Sequence, residues 1–366
     1  MPPLNEEDIF RVAAKIDSQP LRELYLDQVC GENSEMRQRL RLLMDADGED
    51  CKLLGFIGEA DTTETRAISN SDEKIEAEGF EIIRKLGEGG MGEVYLAEQV
   101  YPIRRKVALK LLGASHLNPE AISRFESEKQ ILANLNHPNV ASIYAAGTTN
   151  CGRPYVAMEW IDGIPITEYC DDHQLSIKER LKLFQQACDA VQHAHFKGII
   201  HRDLKPSNIL VLKNGQQVVP KIIDFGIAKT QGSAGGNADR ITRATQLIGT
   251  LEYMSPEQAL TKHQSLDTRS DVYSLGIILH ELLVGQIPFS AEFHKAESLG
   301  QKLGLICESV PPPMYESFRQ SEIIVEIARR RQTSPSALVH QIEDDLGWIV
   351  AKALEKEPEN RYPTVR

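Results

Sequence analysis

The sequence has few of the features that mark secreted, membrane-spanning or metal-stapled proteins. Its six cysteines are scattered and none forms a Cys-x-x-Cys pair, which argues against a disulfide framework or a zinc site and favours a reducing, cytosolic (cytoplasmic) compartment. The amino terminus has neither a basic start nor an apolar core, so it does not resemble a secretory signal. The most apolar stretch, residues 272–284, is too short to span a bilayer and contains His280 and Glu281. It predicts a buried helix and no membrane segment.

The chain also has no excess of basic residues. Its net charge is −12, and most of that charge lies at the amino-terminal end. Residues 1–78 contain 9 Lys and Arg against 19 Asp and Glu, whereas the remainder contains 32 against 34. Because nucleic-acid-binding proteins carry a basic surface, this distribution predicts no nucleic-acid partner.

The apolar pattern divides the chain into three parts. Helical spacing predicts a small α-helical segment over 1–46, too small to bury much surface alone and therefore a candidate for binding a partner. The acidic, aperiodic residues 47–78 predict a flexible linker. From residue 79 onward, strand-like runs up to about 160 are followed by mainly helical patterns over about 161–366. This order predicts an α+β fold of two lobes with a cleft between them.

The most informative motif is the octapeptide at 201–208, His-Arg-Asp-Leu-Lys-Pro-Ser-Asn. Within six residues it provides the carboxylate of Asp203, the ammonium of Lys205 and the carboxamide of Asn208. These groups suit acceptance of a proton, neutralisation of a phosphate and coordination of a metal ion. Phosphoryl transfer requires mainly positioning and charge stabilisation from the protein. An ordinary polar loop accounts for any one of these residues but poorly for the ordered set.

A glycine-rich motif precedes it, with Gly87, Gly89 and Gly92 in the pattern G-x-G-x-x-G. Dinucleotide-binding folds use a similar string where a strand turns into a helix. Here the residues from Val94 onward have a strand pattern, which favours a β-hairpin over a ligand. Glycine allows such a backbone to approach phosphate oxygens without interference from a Cβ atom.

Two further residues complete the predicted site. Lys110 follows the apolar run 107–109, so its ammonium is expected at the floor of the cleft with a helical carboxylate to hold it. Glu128 is favoured for that pairing and Glu126 is the alternative. Asp224, in Asp-Phe-Gly, follows an apolar strand. Its carboxylate, with the oxygen of Asn208, suits Mg²⁺, which prefers oxygen ligands.

Taken together and in this order, the motifs over 79–366 resemble those of the eukaryotic-type (Hanks-type) bacterial serine/threonine protein kinases. The resemblance implies the bilobal protein kinase fold, with ATP and Mg²⁺ as cofactors and protein hydroxyl groups as acceptors. Lys205, two residues after the catalytic Asp203, and Thr250 favour serine or threonine over tyrosine as the acceptor.

The same resemblance implies roles for individual residues. Asp203 and Lys205 would be catalytic, and Asn208 and Asp224 would hold the metal ion. Asp271 would anchor the catalytic loop, and Glu257 would form a buried ion pair with Arg361. The ATP site would comprise Leu86, Gly87, Glu88, Gly89, Gly90, Met91, Gly92, Glu93, Val94, Ala108, Lys110, Glu128, Met158, Glu159, Ile161 and Leu210.

The pattern also suggests regulation. Arg202 lies beside the catalytic carboxylate and needs a counter-charge, which a phosphorylated activation loop supplies in this family. The expected phosphorylation sites are Thr242 and Thr245, modified by autophosphorylation, with a second copy of the chain acting in trans.

Two departures from the family pattern are visible. Residues 290–345 are longer than a minimal kinase needs; we expect a solvated surface excursion there rather than a docking element, with a helix beginning at Ser334-Pro335. The family pattern also continues past Arg361 into a final helix that this sequence does not contain.

Rival interpretations are an inactive pseudokinase and a nucleotide-binding scaffold. The pseudokinase is disfavoured because such proteins usually lose one of the residues at 110, 203 or 224.

Overall fold

The structure is a computed structural model that describes residues 76–89, 92–112, 135–215, 217–225, 251–260, 267–296, 298–315 and 323–365. The predicted amino-terminal helical segment and nearly all of the predicted linker lie outside the described residues. The same holds for the helical segment expected to carry Glu128 or Glu126. Residues 73–366 form one compact unit.

The amino-terminal lobe is built on a five-stranded antiparallel sheet in the order β1-β2-β3-β5-β4. Alternation along the strands gives this sheet two different faces. On one face Leu109 and Leu111 pack with Tyr155 and Ala157 in a small apolar cluster. On the other face Ala108 packs against the main core. The strands are β1 (Phe80–Gly89), β2 (Gly92–Gln99), β3 (Arg105–Leu112), β4 (Ile143–Thr148) and β5 (Pro154–Glu159).

The carboxy-terminal lobe is mainly helical, so the expected two-lobed α+β fold is confirmed. Its first part contains β6 (Ile164–Pro165), α1 (Ile166–Asp172), α2 (Ile177–Phe196), β7 (Ile209–Asn214) and β8 (Gln217–Ile222). Its second part contains α3 (Pro256–Ala259), α4 (Arg269–Val284), α5 (Ser290–Lys295), α6 (Leu299–Cys307), α7 (Ile323–Arg330), α8 (Pro335–Gln341) and α9 (Gly347–Ala353).

Local sequence explains where α2, the longest helix, begins and where α4, the next longest, ends. A capping box starts α2: the Ser176 hydroxyl accepts a hydrogen bond from the Glu179 N–H, and the Glu179 carboxylate accepts one from the Ser176 N–H. Gly285, in the left-handed conformation with φ 78°, ends α4. Helix α4 is buried almost throughout, as its apolar sequence predicts. Within the described ranges, no helix combines the length and hydropathy needed to cross a bilayer.

A small second sheet positions the residues of the predicted site, and the sequence pattern does not reveal it. It has the order β6-β7-β8, and the hairpin β7–β8 pairs Ile209 with Ile222. The octapeptide 201–208 leads into β7, and Asp224 follows β8 by two residues. The hairpin therefore brings two segments of the predicted site to the same end of the sheet.

The prediction of a solvated excursion over 290–345 is wrong. In its first half Phe293 and Ile306 are buried in a small apolar cluster with Leu251, and its second half joins the main core. Ala328 and Leu338 are fully buried, and Ile342 is nearly so. Arg331 is also buried, and its guanidinium donates hydrogen bonds to the carbonyl oxygens of Leu283 and Ile327. Helices α7 and α8 therefore form part of the core. The predicted helix start at Ser334 is confirmed, since the Ser334 hydroxyl caps α8.

Candidate active site

The catalytic loop joins α2 to β7 and holds its polar groups close together. Asp203 is 8% exposed, and its Oδ2 lies 3.2 Å from Lys205 Nζ. The Asn208 amide Nδ2 donates to the Asp203 carbonyl at 2.7 Å and to Asp203 Oδ2 at 3.2 Å. The Asp203 Oδ2 atom thus contacts both the Asn208 amide and the Lys205 ammonium.

Asp271, near the start of α4, anchors this loop from below. Its buried carboxylate accepts hydrogen bonds from the backbone N–H groups of His201 at 2.8 Å and Arg202 at 2.9 Å. A third contact joins Asp271 Oδ2 to His195 Nε2 at 2.8 Å. Arg202 has φ 63°, which a non-glycine residue adopts only under constraint. The Asp271 carboxylate provides that constraint because it accepts hydrogen bonds from two consecutive backbone N–H groups, those of His201 and Arg202.

His201 connects the catalytic loop to the Asp224 segment. Its Nε2 donates to the Ile223 carbonyl at 3.0 Å, and its Nδ1 accepts from the Asp203 N–H at 3.3 Å. The ring also lies against the ring of Phe225, with 4.7 Å between centroids. Burial lowers the pKa of His201 below its usual range, so the ring is neutral, as this hydrogen-bond pattern requires.

Lys110 and Asp224 meet across the cleft between the two lobes. Lys110 is 4% exposed on β3, and its Nζ lies 2.6 Å from Asp224 Oδ1. Asp224 has φ 65°, which turns the chain directly after β8. The Ile223 N–H donates to the Asn208 carbonyl at 2.9 Å, so Asn208 and Asp224 are held in adjacent segments. Glu128 and Glu126, the two candidate partners of Lys110, lie outside the described residues.

The apolar residues predicted to surround a nucleotide base lie on both lobes. Val94 pairs with Lys110 in the β2–β3 ladder, and Ala108 pairs with Met158 in the β3–β5 ladder. Met158 is buried, whereas Val94, Ala108 and Leu210 are half-buried. Further predicted residues are Leu86, which is 38% exposed on β1, and Ile161, which is buried.

Glu159, at the end of β5, has its carboxylate engaged by protein groups. Its Oε2 accepts from the Lys221 ammonium at 2.8 Å and from the Ser142 N–H at 3.1 Å. Its backbone N–H donates to the Ser142 carbonyl at 2.8 Å. The side chain therefore fixes the segment that joins the lobes.

The glycine-rich motif forms a hairpin between β1 and β2, as its sequence predicts. The register places Gly87 opposite Val94 and Gly89 opposite Gly92. Gly92 has φ 129°, a conformation that side chains rarely allow. Glu88 and Glu93 face each other across the hairpin. Gly90 and Met91 lie outside the described residues.

A buried ion pair fixes the segment that follows the activation loop. Arg361 donates two hydrogen bonds of 2.8 Å to the carboxylate of Glu257, which also accepts from the Ser270 hydroxyl at 2.6 Å. Burial alone raises the pKa of Glu257, but these hydrogen bonds outweigh it and hold the pKa below the usual range. Thr242 and Thr245 lie outside the described residues.

Several site contacts have no signal in the local sequence. Tyr253 donates to Glu281 Oε2 at 2.8 Å, and Gln258 Nε2 donates to the Arg202 carbonyl at 3.0 Å. The latter bond ties α3 to the catalytic loop. His195, which binds Asp271, is 76 residues away from it in sequence. Only the folded chain brings such pairs together.

Comparison with known proteins supports this arrangement. The profile of the protein kinase domain matches residues 80–365. The serine/threonine-protein kinase Pkn1 of Myxococcus xanthus is 37% identical over 289 residues, covering 78% of this chain and 36% of that protein. PknB of Mycobacterium tuberculosis strain H37Rv, also a serine/threonine-protein kinase, is 36% identical over 290 residues, covering 78% and 41%. The chain thus spans less than half the length of these relatives.

Solved structures are similar as well. A crystal structure of a single-residue mutant of the PknI kinase domain from Mycobacterium tuberculosis matches with a TM-score of 0.52 and 25% identity. The match covers 79% of this chain and 92% of that one. On the family profile, its relatives and the fold described above, the chain belongs to the protein kinase family, and its kinase domain is of the bacterial Hanks-type serine/threonine class.

Proposed function

We propose that this chain transfers the γ-phosphate of ATP to serine and threonine hydroxyl groups of proteins. The observation that carries the proposal is the convergence of four polar residues from three separate segments. Lys110 and Asp224 form an ion pair across the cleft, and Asp203 is bound to Asn208 within the catalytic loop. A pseudokinase would not be expected to retain all four groups in two such pairs.

The residues suit the roles that phosphoryl transfer requires. Asp203 orients the acceptor hydroxyl and takes its proton, since its carboxylate is held at a fixed angle by Asn208. The Lys205 ammonium, 3.2 Å from Asp203 Oδ2, stabilises negative charge on the transferred group. Lys110 binds the phosphates of ATP that are not transferred.

The donor set fits a magnesium ion that arrives with a nucleotide. Mg²⁺ is usually held by one or two carboxylates together with substrate phosphates, not by an all-protein cage. Asp224 supplies the carboxylate, and Asn208, whose Nδ2 is engaged, presents its amide oxygen. In the parts of the chain that the structure describes, no cluster of three or more His, Cys, Asp or Glu forms a self-sufficient metal site. The ion would supply charge neutralisation on the phosphates.

The substrates proposed for this site are proteins, including a second copy of this chain. Autophosphorylation at Thr242 or Thr245 would add negative charge to the activation loop that Arg202 can bind. Phosphopeptide mapping of active enzyme tests this directly, and phosphate-free 227–250 in active enzyme would contradict it. The four cysteines in the described ranges are free thiols, which supports a cytoplasmic setting.

The decisive experiment is Mg²⁺-dependent transfer of labelled γ-phosphate to the chain itself or to a generic protein acceptor. Asp203→Asn should lower turnover by about 10²- to 10⁴-fold and leave ATP binding nearly unchanged, because it removes the proton acceptor but little binding surface. Asp172→Asn, the same chemical change at an exposed position on α1, is the matched control. ATP binding without transfer in the wild type would exclude the enzyme.

A further inference from the structure

The glycine-rich hairpin places two carboxylates directly opposite each other. Glu88 on β1 and Glu93 on β2 are register partners next to the hairpin tip. Like charges in directly opposite cross-strand positions destabilise a strand pair. The hairpin therefore needs a cation at this position to close in its observed register.

Lys85 supplies that cation. Its Nζ lies 2.6 Å from Glu88 Oε2 and 2.7 Å from Glu93 Oε1, so one ammonium bridges both carboxylates. These contacts raise the pKa of Lys85 above its ordinary value and keep it charged. The Lys85 side chain is 40% exposed and that of Glu93 is 20% exposed, so the bridge lies at the protein surface.

Arg153 extends the network from the β1–β2 hairpin to the end of β3. Its NH1 lies 2.9 Å from Glu93 Oε2, and the same guanidinium donates to the carbonyl of Leu112 at the end of β3. Tyr95 donates to Glu93 Oε1 at 3.1 Å. Glu93 thus accepts hydrogen bonds from Lys85 on β1, Tyr95 on β2 and Arg153 in the turn before β5.

The network lies on the face of the sheet away from the cleft. Register partners share a face, and successive residues alternate between faces. Val94 pairs with Lys110, whose ammonium reaches Asp224 in the cleft, while Glu93 pairs with Leu111 in the small outer cluster. The side chains of this network therefore act on a bound nucleotide through the hairpin backbone, not through direct contact.

We propose that Lys85 and Arg153 are positioning residues that hold the Glu88–Glu93 carboxylate pair on the outer face and so keep the glycine-rich hairpin in register for nucleotide binding. The proposal rests on the proposed function for the identity of the ligand, ATP. Without Lys85, the two carboxylates repel each other and the hairpin tip separates.

The test compares ATP affinity in variants that restore or fail to restore the charge balance. By calorimetric titration with Mg-ATP at low salt, Lys85→Met should raise Kd about two- to fivefold, in line with cross-strand charge effects. Adding Glu88→Gln should recover most of that loss, because it removes the repulsion. The matched control adds Glu81→Gln, which removes the same charge at the far end of the same hairpin, opposite Glu98, and should not recover it.

Two further readouts separate positioning from a general charge effect. Lys85→Met and Arg153→Met should raise KM for ATP while kcat stays within about twofold, and the change should shrink as salt screens the exposed charges. Amide hydrogen exchange of the nucleotide-free protein should accelerate in β1 and β2 of Lys85→Met.

Unchanged Kd and exchange in Lys85→Met would overturn the proposal, as would equal recovery by Glu88→Gln and Glu81→Gln. If the wild type binds ATP but transfers no phosphate, the proposed function fails while the affinity comparison still decides the role of Lys85.

Discussion

The catalytic loop and the glycine-rich hairpin face the same cleft but are held in place by different means. The loop is fixed by buried groups: Asp271 and His201 are almost completely shielded from solvent, and each binds backbone atoms of the loop or of the adjacent segment. The hairpin is held at its tip by the ion pairs of Lys85, which lie at the surface. The geometry of the catalytic loop is thus set by hydrogen bonds shielded from solvent. That of the hairpin is set by charges at the surface, which solvent and salt screen.

This difference matters because the two regions have different tasks under the proposed function. Proton transfer and phosphate stabilisation tolerate little displacement, and a misplacement of about 1 Å can cost a hundredfold in rate. Covering a nucleotide that must enter and leave tolerates more. Buried polar contacts are expensive to break, whereas exposed ion pairs contribute little to stability and respond to salt. The contrast predicts large effects of substitution in the loop and small, salt-dependent effects in the hairpin.

The strongest test removes the anchor of the catalytic loop. Asp271→Asn places an amide N–H₂ among three donors, so we expect turnover to fall roughly a hundredfold or more and the free energy of unfolding to fall by about 3 kcal/mol. Kinetics and urea denaturation measure the two effects. Asp267→Asn, an exposed carboxylate just before α4, is the control. Near-normal turnover in Asp271→Asn would break the comparison.

The ion pair of Glu257 and Arg361 tests the buried region without touching the catalytic groups. Either Glu257→Gln or Arg361→Met should cost about 3–5 kcal/mol, since each leaves a buried partner uncompensated. The double variant should lose less than the sum, which a double-mutant cycle in urea will show. Because the folded-state pKa of Glu257 is depressed, this stabilisation is present at neutral pH and is lost as pH falls below the ordinary glutamate range. Additive losses would contradict a direct coupling.

Helix α4 contains a buried histidine that should give a pH dependence of stability. Burial lowers the pKa of His280 to about 4, and its Nδ1 donates to the Gln286 carbonyl at 2.7 Å. Below pH 6.5 the unfolded chain binds a proton at this residue that the folded chain excludes. The free energy of unfolding should therefore fall by about 3 kcal/mol between pH 6.5 and 4 on this account. His280→Asn should make that decline shallower, whereas His294→Asn at an exposed site should leave it unchanged.

The smallest expected effect sharpens the contrast. Lys85→Met should leave the urea midpoint nearly unchanged, because surface ion pairs contribute little to global stability, while still weakening ATP binding. A large loss of stability in this variant would show that the hairpin is structural in the same sense as the catalytic loop.

The sequence singled out the residues of the candidate site because they stand in contiguous motifs, and their catalytic roles stay a prediction. Asp203, Lys205 and Asn208 occupy one octapeptide, and their mutual contacts are short-range. It did not reveal that both halves of the 290–345 segment contain buried residues, among them Arg331, which donates to carbonyls about 50 residues away. In the sequence, the arginine triplet at 329–331 looks like part of a solvated surface. Only the folded chain shows that its third member satisfies main-chain acceptors in the core.

By itself, the sequence determined the family and the order of the lobes and nominated the groups for the proposed chemistry, because these depend on residue types at short spacing. The tertiary structure decided which distant groups meet. His195 with Asp271, Gln258 with the Arg202 carbonyl, and Glu93 with Lys85 and Arg153 are pairs set by packing and strand register. The first two pairs form only when a long segment closes and buried donors require acceptors, and the third depends on the register of the β1–β2 hairpin; no local pattern encodes which acceptor will be in reach.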